Sequence, residues 1–142
     1  MSLTQNQITL IQQSFAKVEP IADKAAEIFY AKLFELDPYL KPLFKGSMVN
    51  QGSKLMQTLK VAVAGLDNLS AIVPVLENLA ARHVDYGVRP QDYKTVGNAL
   101  LYTLETGLGD AYTSDVSKAW TDLYTLIKQV MTNKHDEVVS IA

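Results

Sequence analysis

The sequence contains no cysteine and only two histidines. The absence of cysteine excludes disulfide bonds, thiol catalysis and zinc sites built on thiolates. Histidine is therefore the only strong nitrogen ligand that the chain offers to a transition metal. Any metal chemistry has to involve His83 or His135.

Long apolar runs and an excess of charge of one sign are also missing. The longest apolar runs, residues 61–66 and 71–76, are six residues each, whereas a transmembrane helix needs about 20. The formal net charge is −2, and the scattered basic residues form no patch for nucleic acid. The N-terminus lacks the basic and apolar pattern of a secretory signal. We expect a cytoplasmic protein with neither a nucleic-acid nor a membrane partner.

The 142 residues, 48% hydrophobic and 20% charged, have the composition of one globular domain that buries roughly two-thirds of its unfolded surface. We predict a single domain over residues 1–142, with no room for a second catalytic domain.

Apolar residues recur at spacings of three and four along the chain, and no alternating strand pattern or hairpin turn appears. Thr4 with Gln7 fits a capping box. Pro20 closes the first helix and can start the second, and Asp37 with Pro38 opens a short helical turn. Helices are predicted over residues 4–20, 20–36, 38–44, 49–64 and 67–86, where Gly87 ends the helix. A further helix begins at Pro90 and continues until Gly107 and Gly109 break it, and the last begins near residue 114. The fold class is all-α, with about six to eight helices in a globular sandwich rather than an even four-helix bundle.

Three polar residues fall on or beside predicted apolar helix faces. His83 shares a face with Leu76 and Leu79, Gln51 heads an apolar row, and Tyr30 lies beside the stripe of the second helix. A neutral imidazole there can ligate iron in a dry pocket, but it can equally be a core histidine bonded to the backbone. Buried polar groups need partners, so mutual hydrogen bonding of Tyr30 and Gln51 is also possible.

The order of these residues resembles that of bacterial single-domain globins and of the globin domains of flavohaemoglobins, over about residues 4–135. The resemblance rests on five segments and one tryptophan: Ile28–Phe34, Asp37-Pro38 with Leu43-Phe44, Gln51–Met56, Leu79–His83, Tyr86–Pro90 followed by Tyr93, and Trp120. It implies the globin fold, enclosing a haem pocket.

The same resemblance implies haem b (iron protoporphyrin IX) as the cofactor and His83 as the ligand of a five-coordinate iron. It places Tyr30, Gln51 and Leu55 on the distal face, where gases bind. The residues implied to contact the cofactor are His83, Phe44, Leu55, Arg82, Val88 and Tyr93. Arg82 could pair with a haem propionate or remain solvated. Phe44, Leu55, Val88 and Tyr93 are also residue types that an ordinary helical core or its boundary would contain.

One position departs from the flavohaemoglobin pattern. Those proteins carry a Glu late in the last helix that hydrogen-bonds with the proximal His and Tyr; counted from Trp120, that position here holds His135, with Glu137 displaced by two residues. Without a carboxylate partner the proximal imidazole donates less electron density to iron. His135 itself is predicted to be a solvated tail residue rather than a second ligand.

The expected function is reversible binding of dioxygen, and also of nitric oxide and carbon monoxide. Dioxygen held at haem iron carries partial negative charge, so phenol and amide donors slow its escape. High affinity suits scavenging or detoxification better than oxygen transport. The alternatives are a nitric oxide dioxygenase, an enzyme that here would depend on a separate reductase, and a haem-based gas sensor.

Overall fold

The computed structural model describes residues 3–44, 47–85, 88–89 and 91–141. Within these ranges the chain forms helices and no strand, which confirms the predicted all-α class. The α-helices are α1 (Gln5–Val18), α2 (Ala22–Leu36), α3 (Met48–Ala64), α4 (Leu69–Asp85), α5 (Asp92–Leu108) and α6 (Ser114–Ile141). Short 3₁₀ turns span Glu19–Ile21, Pro38–Leu43, Leu66–Asn68 and Gly109–Ala111. None of the described helices is long and apolar enough to cross a membrane.

The structure contains the capping hydrogen bonds that were predicted at the start of α1 and at the start of the turn after α2. The Thr4 hydroxyl accepts from the Gln7 amide at 3.1 Å, and the Gln7 side chain accepts from the Thr4 amide at 3.0 Å, so the capping box is confirmed. Asp37 opens the turn after α2 by accepting from the amide of Tyr39 at 3.1 Å. This turn ends at Phe44 and therefore keeps that ring close to α2.

The end of α5 falls at the second of the two glycines predicted to break the helix. Gly107 lies inside the helix, and Gly109, with a φ of 54°, follows its last residue. A left-handed φ is open to glycine at little cost and strained for most other residues, so Gly109 rather than Gly107 stops the helix. The predicted stop at Gly87 and start at Pro90 lie outside the described residues.

The buried apolar side chains form two clusters. The larger joins α1, α2, α3, α5 and α6 and includes Phe15, Phe29 and Trp120. The Trp120 indole donates to the Ser14 hydroxyl at 2.8 Å, which fixes α6 against α1. The smaller cluster consists of residues from α4, α5 and α6: Ile72, Leu76, Ala80, Tyr93 and Met131. The core is thus divided between two groups of helices.

Helices α2 and α3 cross at Gly52. A Cβ atom on Gly52 would lie only 2.9 Å from the Cβ of Ala26. Tyr30 follows Ala26 by one helical turn, and Gln51 precedes Gly52. The close crossing therefore brings Tyr30 and Gln51 together.

We predict that Gly52→Ala destabilises the protein by about 1–3 kcal/mol, because the new methyl group meets an atom fixed to the α2 backbone. Gly107→Ala is the matched control: its nearest neighbour outside the local backbone, Ile21 Cδ1, is 3.6 Å away. That change should be neutral or stabilise by up to about 1 kcal/mol. Urea unfolding followed by circular dichroism measures both. Equal unfolding midpoints for Gly52→Ala and the parent would show that the crossing tolerates a side chain.

Candidate functional site

His83 lies near the C-terminal end of α4 and is partly buried. Its Nδ1 atom is 2.7 Å from the backbone oxygen of Leu79, one turn earlier. A carbonyl only accepts hydrogen bonds, so Nδ1 carries the proton and Nε2 keeps the lone pair that binds metals. Burial lowers the pKa of His83; the bond to Leu79 opposes this effect, and the charge that His135 can carry adds to it. The ring is therefore held in the neutral form that a metal requires.

The ring of Tyr93 neighbours those of both His83 and His135. Its ring centre is 6.4 Å from that of His83, with the two planes 28° apart. The ring of His135 lies 6.1 Å away and perpendicular to it. We call these three residues from α4, α5 and α6 the proximal cluster (His83, Tyr93 and His135).

The prediction that His135 is a solvated tail residue was wrong, because only 5% of it is exposed. Helix α6 continues to Ile141 and packs along α4, so His135 lies within a packed helix and not in a polar tail after Met131. Met131, four residues earlier on the same helix face, belongs to the smaller core cluster. That spacing of four was the sequence signal that could have placed His135 inside.

Tyr30, Gln51 and Phe44 meet on the other side of the core. The Tyr30 hydroxyl donates to the backbone oxygen of Gln51 at 3.2 Å. Phe44 packs edge-on against the Tyr30 ring, with the ring centres 5.3 Å apart. Burial raises the pKa of Tyr30 to about 12, so the phenol keeps its proton at physiological pH. The hydrogen bond joins Tyr30 to the main chain of Gln51, and the role of either side chain toward a gas stays a prediction.

The remaining predicted residues divide between the two core clusters. Phe44 and Leu55 are half-buried and pack on the larger cluster, and Val88 is half-buried and packs on the smaller one. Arg82 is exposed on α4. A flat apolar cofactor with an iron atom fits this chemistry. Both core clusters offer apolar side chains to it. The neutral imidazole of His83 lies beside the smaller cluster, and the buried phenol of Tyr30 belongs to the larger one.

Sequence reasoning missed the ion pairs of Arg89. Its guanidinium lies 2.9 Å from the Asp92 carboxylate and 3.4 Å from that of Asp37. Asp92 is almost fully buried and also accepts from the Arg89 amide at 2.8 Å. Arg89 therefore connects the segment before α5 with the turn after α2. The spacing of three between Arg89 and Asp92 was visible in the sequence, whereas the contact with Asp37 was not.

A second missed residue is Tyr124 on α6. Its hydroxyl donates to the backbone oxygen of Tyr93, in the first turn of α5. This bond fixes the backbone of Tyr93 against α6. The burial of Tyr124 raises the pKa of its phenol, which therefore remains a donor.

Two comparisons with known sequences agree with this geometry. The sequence model of the globin family matches residues 27–131. The flavohemoprotein of Vibrio cholerae is 30% identical over 135 residues, which is 93% of this chain and 34% of that protein. This chain thus spans about a third of the length of that relative. The neuroglobin of Tetraodon nigroviridis is 36% identical over 120 residues, covering 74% of this chain and 75% of that protein.

Solved structures share the fold. An engineered carbene transferase from Rhodothermus marinus, whose name includes nitric oxide dioxygenase, superposes with a TM-score of 0.89 at 22% identity, covering 99% of this chain and 98% of that one. A hexacoordinated heme protein from an anhydrobiotic tardigrade gives a TM-score of 0.87 at 18% identity, covering 94% and 96%. With the family match over residues 27–131 and the likeness to a flavohemoprotein, the resemblance drawn from the sequence is confirmed, and the chain belongs to the globin family of haem proteins.

Proposed function

We propose that this chain binds haem b through His83 as the proximal ligand of a five-coordinate iron, and that it binds dioxygen on the side of Tyr30 and Gln51. The observation that supports the proposal is the 2.7 Å hydrogen bond between His83 Nδ1 and the Leu79 carbonyl, because it puts the proton on Nδ1 and the lone pair that binds iron on Nε2. Ferrous haem supplies reversible binding of dioxygen, nitric oxide and carbon monoxide. The protein orients the cofactor, excludes water from it and donates hydrogen bonds to the bound gas.

The apolar residues around the site exclude water. Phe44 and Leu55 are proposed to cover the distal face, and Val88 and Tyr93 the proximal one. Arg82 is exposed immediately before His83, where a guanidinium can pair with a carboxylate at the edge of the cofactor. Exclusion of water strengthens each hydrogen bond that remains inside.

Tyr30 is the proposed donor to dioxygen. Its present bond to the Gln51 carbonyl, at 3.2 Å, is longer than the usual range for an O–H···O hydrogen bond. Donation to a ligand with partial negative charge is stronger, so exchange of partner is favourable. The amide of Gln51 is the second proposed donor. Two donors imply slow release and high affinity, which suits scavenging or detoxification better than delivery.

We predict that His83→Gly loses stably bound haem and that added imidazole restores a globin-like absorption spectrum. Removal of the side chain leaves a space at the end of α4 in which free imidazole can take its place. Asn78→Gly, at an exposed position of the same helix, is the control for the cost of a helical glycine. Haem binding that survives His83→Gly without imidazole contradicts the assignment.

We predict that Tyr30→Phe speeds dioxygen release about 10- to 100-fold, since a hydrogen bond to a charged group is worth about 1.5–3 kcal/mol. Release of carbon monoxide, whose bound form carries little charge, should change much less. Gln51→Leu should have a smaller effect on dioxygen than Tyr30→Phe. Stopped-flow measurement of both gases tests this.

The comparison of the two gases also separates hydrogen bonding from a change of shape. Tyr30→Phe also removes the bond to the Gln51 carbonyl, so a distorted pocket would shift both release rates alike. Equal shifts in the release rates of the two gases would show that Tyr30 is a packing residue. A dioxygen release rate within about twofold of the parent would show the same, because a tenfold change corresponds to about 1.4 kcal/mol.

A second candidate function is oxidation of nitric oxide to nitrate, favoured by the 30% identity to a flavohemoprotein over 93% of this chain. We predict that these 142 residues, reduced and loaded with dioxygen, consume one nitric oxide per haem and then stop in the ferric form. A separate reductase with its electron donor should restart consumption. A nitric oxide electrode measures the stoichiometry, and sustained consumption with NADH alone would contradict the prediction.

A further inference from the structure

Two polar atoms of the proximal cluster are buried without a hydrogen-bond partner among the residues that the structure describes. They are the hydroxyl oxygen of Tyr93 and Nδ1 of His135. Their residues are 3% and 5% exposed, so bulk water does not serve them. An unsatisfied buried group of this kind costs about 1–3 kcal/mol. Two such atoms in neighbouring rings require an explanation.

The two groups are complementary in chemistry. A phenol donates, and the unprotonated nitrogen of a neutral imidazole accepts. Their rings are perpendicular with centres 6.1 Å apart, so the two buried side chains are direct neighbours. The Thr132 hydroxyl is a third buried atom without a partner among the described residues. A rotation of its side chain would let it donate to the carbonyl four residues earlier, as Thr121 and Thr125 on the same helix do at 2.8 Å.

The backbone of Tyr93 is already fixed, because Tyr124 donates to its carbonyl. Only the ring and hydroxyl of Tyr93 remain to be oriented. Its ring lies nearly parallel to that of His83, 28° between planes, so the position of the Tyr93 ring limits how far the His83 ring can rotate. Whatever holds the Tyr93 hydroxyl therefore also holds the orientation of His83.

We propose that His135 is a positioning residue: its Nδ1 accepts the hydrogen bond of the Tyr93 hydroxyl, and the pair fixes the ring of His83. In this arrangement His135 carries its proton on Nε2. The acceptor is a neutral ring, so no full negative charge is placed beside the proximal histidine. The proposed link from Tyr93 to His135 is argued from two buried atoms that have no partner among the described residues, whereas its effect on iron rests on the proposed function.

The first test uses resonance Raman spectra of the ferrous, ligand-free holoprotein, in which the iron–imidazole stretching band reports the orientation of the ligand ring. Four variants are compared with the parent: His135→Asn, His135→Leu, Tyr93→Phe and the double variant of the last two. Asparagine keeps an acceptor close to the place of Nδ1, and leucine fills the space without one.

The parent and His135→Asn should share one narrow band. His135→Leu and Tyr93→Phe should both broaden or shift it, and the double variant should add nothing further, because each single change already breaks the same bond. A parent-like band in His135→Leu, effects that add in the double variant, or an Asn variant that behaves like the Leu variant would overturn the proposal.

The second measurement does not depend on iron ligation and remains available if a leucine variant fails to fold. Nitrogen-15 NMR of the reduced, carbon monoxide-saturated protein should show His135 protonated at Nε2, with an Nδ1 resonance that moves in Tyr93→Phe. A proton on Nδ1, or an unmoved resonance, would overturn the hydrogen bond. If the NMR result holds while the parent shows no iron–imidazole band, the pairing stands and the assignment of His83 as the ligand fails.

Discussion

The hydrogen bond from His83 Nδ1 to the Leu79 carbonyl is the interaction on which the proposed site depends. It is made within one helix, at 2.7 Å, and so forms wherever α4 forms. It selects the tautomer whose Nε2 bears the lone pair that binds iron, and burial of the ring favours the neutral state. The backbone of α4 thus prepares the ligand before any cofactor is present. The neighbouring ring of Tyr93 then limits its rotation.

The two sides of the site are held together by contacts between distant parts of the chain. On the Tyr30 side of the proposed site, the close approach of Gly52 to Ala26 brings Tyr30 to the start of α3. Arg89 pairs with both Asp92 and Asp37, and so ties the start of α5 to the turn that carries Phe44. The His83 side and the Tyr30 side of the proposed site are therefore connected through a charged link at the surface and through the helix crossings inside.

The parts of this structure that depend on local chemistry could be predicted from the sequence. The capping box at Thr4, the helical turn opened by Asp37 and the spacing of apolar residues each concern contacts within about one turn. The order of the site residues was equally visible, through its resemblance to known globins. The choice between Gly107 and Gly109 as a helix stop was not, because it depends on a backbone φ.

The burial of His135 and the ion pair between Arg89 and Asp37 involve residues far apart in sequence. Neither can be read from composition or periodicity alone, since each depends on how the helices pack. The bond from Tyr30 to the backbone of Gln51 has the same origin: the sequence indicated that the two residues would meet, but not that the main chain would be the acceptor. These three contacts set the surroundings of the ligand and of the proposed gas site.

The most direct test of the central claim is the absorption spectrum of the purified, haem-loaded protein, reduced and oxidised, with and without carbon monoxide. Ligation by His83 alone predicts a five-coordinate, high-spin ferrous spectrum that converts to a six-coordinate, low-spin one when carbon monoxide is added. A protein that takes up no haem, or a ferrous spectrum that is already six-coordinate and low-spin without any added gas, would contradict the account.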